Sequence, residues 1–343
     1  VLLAAALTVP ALQARGAEGP DPGAQFQMLS HEIEGLRQQF AERVRVNGYF
    51  SLDYYADNRA TSHNGFEQES FNLFVGRSWD RWRVLGEIEY EGGPDIEATG
   101  AGAQGNGAIS AEVAWAEYRF RDALSLRGGK FLLPQYWNLN HYAPVVLSTT
   151  RPLMVRQVFP VSTVGLMAHG DVFPGAFGAS YSAYYANGQT PDATDDNENK
   201  AVGGRVTAHL GGLSRALSRL DVSASGHSER LQALGGTVDI LGGDLQLDAG
   251  RFQILAEYAT ATGNPTLEGF YIQPAARVCD GVRLFYRYDY LDDGMNPQKR
   301  HTLGLNWRPM ANVSLKLEGQ THAFVHPGGD GYDRVAASVA LFF

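Results

Sequence analysis

The chain has 343 residues, 44% of them hydrophobic, with a mean hydropathy of -0.23 and a formal net charge of -9. The acidic balance, without any basic stripe, excludes a nucleic-acid partner, and beyond the first residues no apolar run reaches the ~18 residues of a membrane helix. Forty glycines, 16 tyrosines and 17 phenylalanines point instead to short strands and tight turns, and the lone Cys279 excludes an internal disulfide.

The start, "VLLAAALTVPALQARGAEG", passes from apolar to small to polar residues, as a secretory signal does, but lacks the charged beginning. Residues 1–14 are therefore expected to be a partial signal peptide and 15–25 a linker. Next, Phe26, Leu29, Ile33, Leu36 and Phe40 step by threes and fours, so 26–43 is predicted as a helix with a coiled-coil seam. So short a seam is unstable alone and needs partner copies or a surface to dock on.

From Val44 the period changes to two and stays so. Strands are predicted at 44–55, 66–78, 81–91, 109–121, 124–133, 161–171, 176–187 and 200–210. They continue at 218–227, 236–248, 251–261, 267–277, 281–291, 299–308, 312–321 and 332–343, making sixteen. Alternate connections are tight, such as "SWD", "RDA", "DAG" and "CDG", whereas the intervening ones are long and polar, the longest running from Pro134 to Pro160. Short turns at one end and long loops at the other mark a transmembrane barrel with its long loops outside the cell.

The faces agree. In "VRLFYRYDY", Val282, Leu284, Tyr286, Tyr288 and Tyr290 share one side, and Arg283, Phe285, Arg287 and Asp289 the other. "NVSLKLEG" sets Val313, Leu315 and Leu317 against Ser314, Lys316 and Glu318. The apolar side suits lipid, so the charged side must line a wet interior. By this parity the candidate wall residues are Arg45, Arg119, Arg127, Arg205, Arg283, Arg287, Lys316 and Arg334, against Glu87, Glu89, Glu117 and Asp289. Lys130 joins them if a bulge at Gly128–Gly129 turns it inward. Trp79, Trp82 and Trp307 mark the short-turn rim, and Tyr54, Tyr185, Tyr258 and Tyr290 the long-loop rim. The final "YDRVAASVALFF" is expected to pair with the first strand and leave no open edge. Outward residues on two strands are small, Ala114 and Ala116, then Val335, Ala337 and Val339, which predicts a subunit interface there.

The stretches "AWAEYRFRDALSLRGGKFLLPQYWN" and "STTRPLMVRQVFPVSTVGLMAHGD" resemble the phosphate-selective porin O/P family of Gram-negative outer membranes, whose members begin with a short coiled coil. The resemblance is architectural over most of the chain and local over 112–170. It implies an all-β fold: a sixteen-stranded antiparallel transmembrane barrel preceded by a periplasmic helix, assembled as a homotrimer. It also implies a third loop folded inward as a constriction and a preference for anions such as phosphate or carboxylates. Residues 134–160, with Val145, Val146, Leu147, Leu153, Met154 and Val155, are too apolar for a solvated loop, and Tyr136, His141, Arg151 and Arg156 are the candidate constriction residues. The mixed signs on the wall differ from the rows of cations that a dianion requires. A C-terminal Phe such as Phe343 is read by the barrel-assembly machinery in such porins.

The function expected is a passive channel for small hydrophilic solutes in the outer membrane, with lipid and lipopolysaccharide as neighbours and no cofactor. The alternative is a structural or adhesive barrel with a closed lumen. An enzyme is not expected, since neither G-x-S-x-G nor H-E-x-x-H occurs and His169, His209 and His301 are scattered. Asp192, Asp195, Asp196 and Glu198 in the 188–199 loop lack the ordered spacing of a calcium site; bridging to lipopolysaccharide or plain solvation suits them better.

Overall fold

Alternation of period two lets a strand present one face to apolar surroundings and the other to polar ones, and the computed structural model turns each such run into a strand. It describes residues 44–343 except 60, 61, 63, 93–107, 174–176, 189–197, 232–235, 264, 265 and 326–330. The expected signal, linker and coiled-coil helix at 1–43, and Asp192, Asp195 and Asp196, lie outside the described residues.

The first four strands are β1 (Arg45–Asp57), β2 (Gly65–Trp79), β3 (Trp82–Glu91) and β4 (Ala108–Arg121). Then come β5 (Leu124–Leu132), β6 (Ser162–Val172), β7 (Gly178–Ala186) and β8 (Ala201–His209). The second half holds β9 (Arg219–Leu231), β10 (Gly236–Ala249), β11 (Phe252–Ala261) and β12 (Leu267–Cys279). It ends with β13 (Val282–Asp292), β14 (Gln298–Met310), β15 (Val313–Phe324) and β16 (Tyr332–Phe342). Each pairs antiparallel with its neighbours in sequence, and β16 pairs with β1, so the sheet is a closed sixteen-stranded barrel.

The alternation sorts the side chains as lipid on one side and an aqueous interior on the other require. On β14, Leu303 is 67% exposed outward while Thr302 beside it is wholly buried inward. Val206, Leu241 and Leu317 are likewise exposed on the outer face. One connection at the long-loop end is shorter than the sequence pattern suggests, 232–235, because β9 runs on to Leu231. A correction concerns Lys130. The ladder passes Gly128–Gly129 without a register shift, and Lys130 pairs with Ala114 and Val164, the outward row, although it is buried. It is removed from the candidate wall.

A register shift does occur on β4, where Glu87 faces Val113 but Ile88 faces Ala111. The extra residue turns Glu112 as well as Glu117 inward, which strict alternation would forbid.

Closure depends on Gly48. Its N–H donates to Phe343 O at 3.1 Å and its carbonyl accepts from Phe343 N–H at 3.0 Å. The Phe343 ring lies over it and stacks on Phe71, with centroids 5.6 Å apart. A Cβ at position 48 would sit 2.5 Å from that ring and 2.4 Å from Asn72 O. Gly48→Val should therefore displace Phe343 and cost about 1–3 kcal/mol, as overpacking does. Urea unfolding of detergent-folded protein checks this; an unchanged midpoint would show that the ring moves aside freely.

Candidate functional site inside the barrel

Residues 133–161 connect β5 to β6 and return into the barrel. The stem is pinned by Leu133 N–H to Val161 O at 2.8 Å and by Asn138 Nδ2 to Pro160 O at 3.0 Å, around one short helix, α1 (Tyr136–Asn140). The apolar content of the loop explains its course. Trp137, Met154, Val158 and Phe159 pack on Val238, Ile240, Leu255, Ala259, Tyr271 and Leu291, inward residues of β10–β13. A lumen wall that carries valine and isoleucine would be wasted on water, and the loop removes it from water.

Opposite this apolar anchor the loop meets charge. Glu318 accepts from Thr149 N–H at 2.9 Å, Thr150 N–H at 3.0 Å and Thr150 Oγ1 at 2.6 Å. Asp289 accepts from Leu153 N–H at 3.2 Å and from Arg287 and Arg300. Arg287 donates to Ser148 Oγ at 2.7 Å and Thr150 O at 3.0 Å, and Arg300 donates to Arg151 O. Lys316 Nζ donates to Ala143 O at 2.6 Å and Ser148 O at 2.9 Å, and Asn306 to Leu147 O. An irregular loop has no ladder for its backbone groups, and here charged side chains supply the partners.

The third sector, β1–β4, is acidic. Arg151 reaches across to Glu69 at 2.7 Å and Glu91 at 3.3 Å, and Arg156 lies 3.9 Å from Glu91 with its backbone in the left-handed region (φ 63°). Burial opposes the Arg151 charge, but the Glu69 and Glu91 carboxylates outweigh it and hold the guanidinium above its ordinary value. Glu87 and Glu89 are buried beside them, Glu87 accepting from Asn72 at 2.8 Å. Tyr142 sits edge-on to Tyr49 and Phe74. His141 places one ring nitrogen 2.8 Å from Asn138 O and the other 3.3 Å from Glu112.

The remaining candidates spread around the wall. Arg127 and His169 share Glu117, both at 2.7 Å; Arg205 pairs with Asp244 at 2.7 Å; Arg334 pairs with Asp57 at 3.2 Å. Arg119 pairs with Asp122 at the short-turn rim, where Arg45 and Arg83 line a cavity. Tyr136 packs beside the apolar anchor. Several participants are missing from the sequence-based set, among them the carboxylates of Glu69, Glu91, Asp57 and Asp244. Arg300 and Arg308 share the parity of Thr302 and were legible; Glu112 was hidden by the bulge. Among the described residues no group of three or more His, Cys, Asp and Glu side chains could hold a metal ion.

No protein-family model matches the chain. An uncharacterized protein of Aquifex aeolicus is 28% identical over 154 residues, 44% of this chain and 33% of that protein, so the match spans about a third of its relative. OmpF of Salmonella typhi, solved in complex with daunomycin, superposes with a TM-score of 0.63 at 11% identity over 89% of this chain and 99% of its own. Outer-membrane expressed OmpT of Vibrio cholerae gives 0.60 at 9% over 88% and 98%. The outer membrane channel DcaP of Acinetobacter baumannii gives 0.54 at 14% over 89% and 98%. At such identities the likeness establishes the fold, a closed sixteen-stranded barrel of the outer-membrane, porin-like kind.

The expectation that the chain is not an enzyme is corrected by the same comparison. Several structures of OmpT, described simply as an outer membrane protein, match at TM-scores of 0.57–0.60, so the fold is not confined to proteins described as channels and does not separate this chain from catalysts.

The His141–Glu112 contact has a pH dependence of definite sign. Burial alone would pull His141 down, but the hydrogen bond and charge of Glu112 outweigh it and hold the ring above its ordinary value. A raised folded-state value means that the contribution is complete below the ordinary ~6.5 and is lost as pH climbs through the raised value. Amide exchange in 139–157 should therefore accelerate as the pH climbs above the ordinary ~6.5, beyond the intrinsic rate, in the wild type. In His141→Asn that excess should vanish; an equal excess in both would remove His141 from the docking of the loop.

Proposed function

We propose that the chain is an outer-membrane porin, a passive diffusion channel for small hydrophilic solutes and ions, with residues 133–161 as its constriction. The observation that carries this reading is a long loop fastened to the inner wall between two polar cavities. On the long-loop side a cavity of about 540 Å³ is lined by Glu67, Glu69, Arg151, Arg300 and Arg334. On the other side one of about 220 Å³ is lined by Arg127, His169 and Arg205 with Ser180, Ser182 and Thr207. Charges of both signs suit dipolar solutes and small ions, and a fixed loop sets their size.

Finer points belong to the same proposal. The motif likeness at 112–170 supports descent near the phosphate-selective porin O/P family, while carboxylates on the wall weigh against phosphate as its specific solute. The outward Ala114, Ala116, Val335, Ala337 and Val339 favour a homotrimer contact. The strand pairing at Phe343 is compatible with recognition by the assembly machinery, and the 188–199 loop with lipopolysaccharide. A second reading, a barrel with a closed lumen, draws support from the complete burial of Arg287, Asp289 and Thr302 beneath the loop.

Planar-bilayer recording separates the two. The channel reading expects conductance in triplet steps. Glu318→Ala strands three loop donors, at about 1–3 kcal/mol for each one left buried, and should raise conductance and its fluctuation. Silence from both proteins would favour the closed barrel and overturn the channel.

A further inference from the structure

Most arginines that reach the lumen have a carboxylate partner. Arg127 has Glu117, Arg151 has Glu69 and Glu91, Arg205 has Asp244, and Arg219 has Asp221. Arg287 and Arg300 share Asp289, and Arg334 has Asp57. At the short-turn end of β12–β14 this pattern breaks. Arg277 and Arg283 stand directly opposite each other, both on inward positions. Like charges so placed repel, and a sheet gains nothing by keeping them. Neither has an ion-pair partner among the described residues.

Arg308 stands close by on β14 and also lacks a carboxylate. Its Nη2 donates to Pro144 O and Val145 O, both at 2.8 Å, and its Nε is buried with no acceptor. Between these arginines and the underside of the 133–161 loop lies a cavity of about 230 Å³. Arg283 and Arg308 line it together with Asn140, Gln246, Gln253 and Gln273, and no Asp or Glu side chain does. Cationic charge without a counter-charge attracts an anion. Four neutral carboxamides, of which Asn140 already donates once to Tyr136 O at 2.8 Å, offer donors and acceptors that attract hydroxyl groups.

We propose that this cavity binds a small hydroxylated carboxylate, of the size and chemistry of a single sugar acid. The carboxylate sits against Arg283 and the adjacent Arg308, in the two-pronged manner that guanidinium groups favour. The hydroxyls exchange hydrogen bonds with Gln246, Gln253 and Asn140. The volume falls below the ~300–1,000 Å³ of sites for drug-sized ligands, which sets the scale at one small metabolite. Inorganic phosphate would engage the arginines but, being smaller, would span fewer of the carboxamides than a sugar acid does, so the site favours the sugar acid. The route by which the ligand arrives rests on the channel reading; the site does not.

Trp137 lines the same cavity and provides the signal. The detergent-folded full chain is titrated with gluconate, inorganic phosphate and glucose while tryptophan fluorescence is followed. Gluconate should give a saturable change that disappears in Trp137→Phe. Arg283→Gln, on an exposed strand end, should weaken it by roughly tenfold, the loss expected for a charge-assisted bond. Gln253→Ala should weaken gluconate while leaving any phosphate response unchanged. Glucose, which lacks the charge, should give no change. Equal responses to phosphate and gluconate, insensitive to Gln253→Ala, would overturn the proposal, as would a gluconate response indifferent to Arg283→Gln or no response at all. Bilayer recording of the same preparation keeps the two claims apart. Saturation without conductance leaves the site standing and the channel failing, and conductance without saturation does the reverse.

Discussion

The structure depends on an exchange between buried charge and irregular backbone. Arg287, Asp289 and Glu318 are almost entirely hidden from solvent, and an unpaired ion in such a place costs several kcal/mol. The 133–161 segment in turn carries amides and carbonyls that no ladder satisfies. Each side supplies what the other lacks: Glu318 receives the amides of Thr149 and Thr150, and Lys316 and Arg287 cover the carbonyls of Ala143, Ser148 and Thr150. Neither the wall of β13–β15 nor the loop is stable in this form without the other.

That exchange fixes how the rest of the circumference is used. The apolar sector at β10–β13 takes the side chains of the loop, and the charged sector at β13–β15 takes its backbone. The acidic sector at β1–β4 takes its arginines and His141. A loop held at three sectors has little freedom to slide, so the polar cavities above and below it have defined walls. The lumen is organised by sector rather than by ring.

The barrel was legible because period-two alternation is local: each strand declares its own two faces, and sixteen declarations fix the closure. The site was legible only in part. Parity finds which residues face inward, such as Arg287 and Lys316, but does not say which distant backbone group they meet. The slip at Glu112 and Val113 shows how a single extra residue defeats parity, although two consecutive inward residues within "SAEVAWAEY" are a visible phase change in the alternation. Lys130 shows the converse, a glycine pair that invites a bulge and does not make one. The inward glutamines, and the valines and isoleucine that anchor the loop, carry no charge to mark them, and nothing in a single strand separates a dry inward position from a wet one.

The sequence distance between the loop and its partners has a consequence for biogenesis. Thr149 and Glu318 are 169 residues apart, and Leu153 and Asp289 are 136 apart. Contacts so remote in sequence carry a large closure entropy and form late. The segment that organises the interior is made in the first half of the chain, while the charged partners of its backbone belong to the last four strands. The barrel must therefore be assembled around a loop that has only the carboxylates of β2–β4 to hold, and the interior can set only after the seam has shut. During that interval the carboxylates and guanidinium groups of the late strands stay hydrated, so water must occupy the nascent barrel before the protein displaces it.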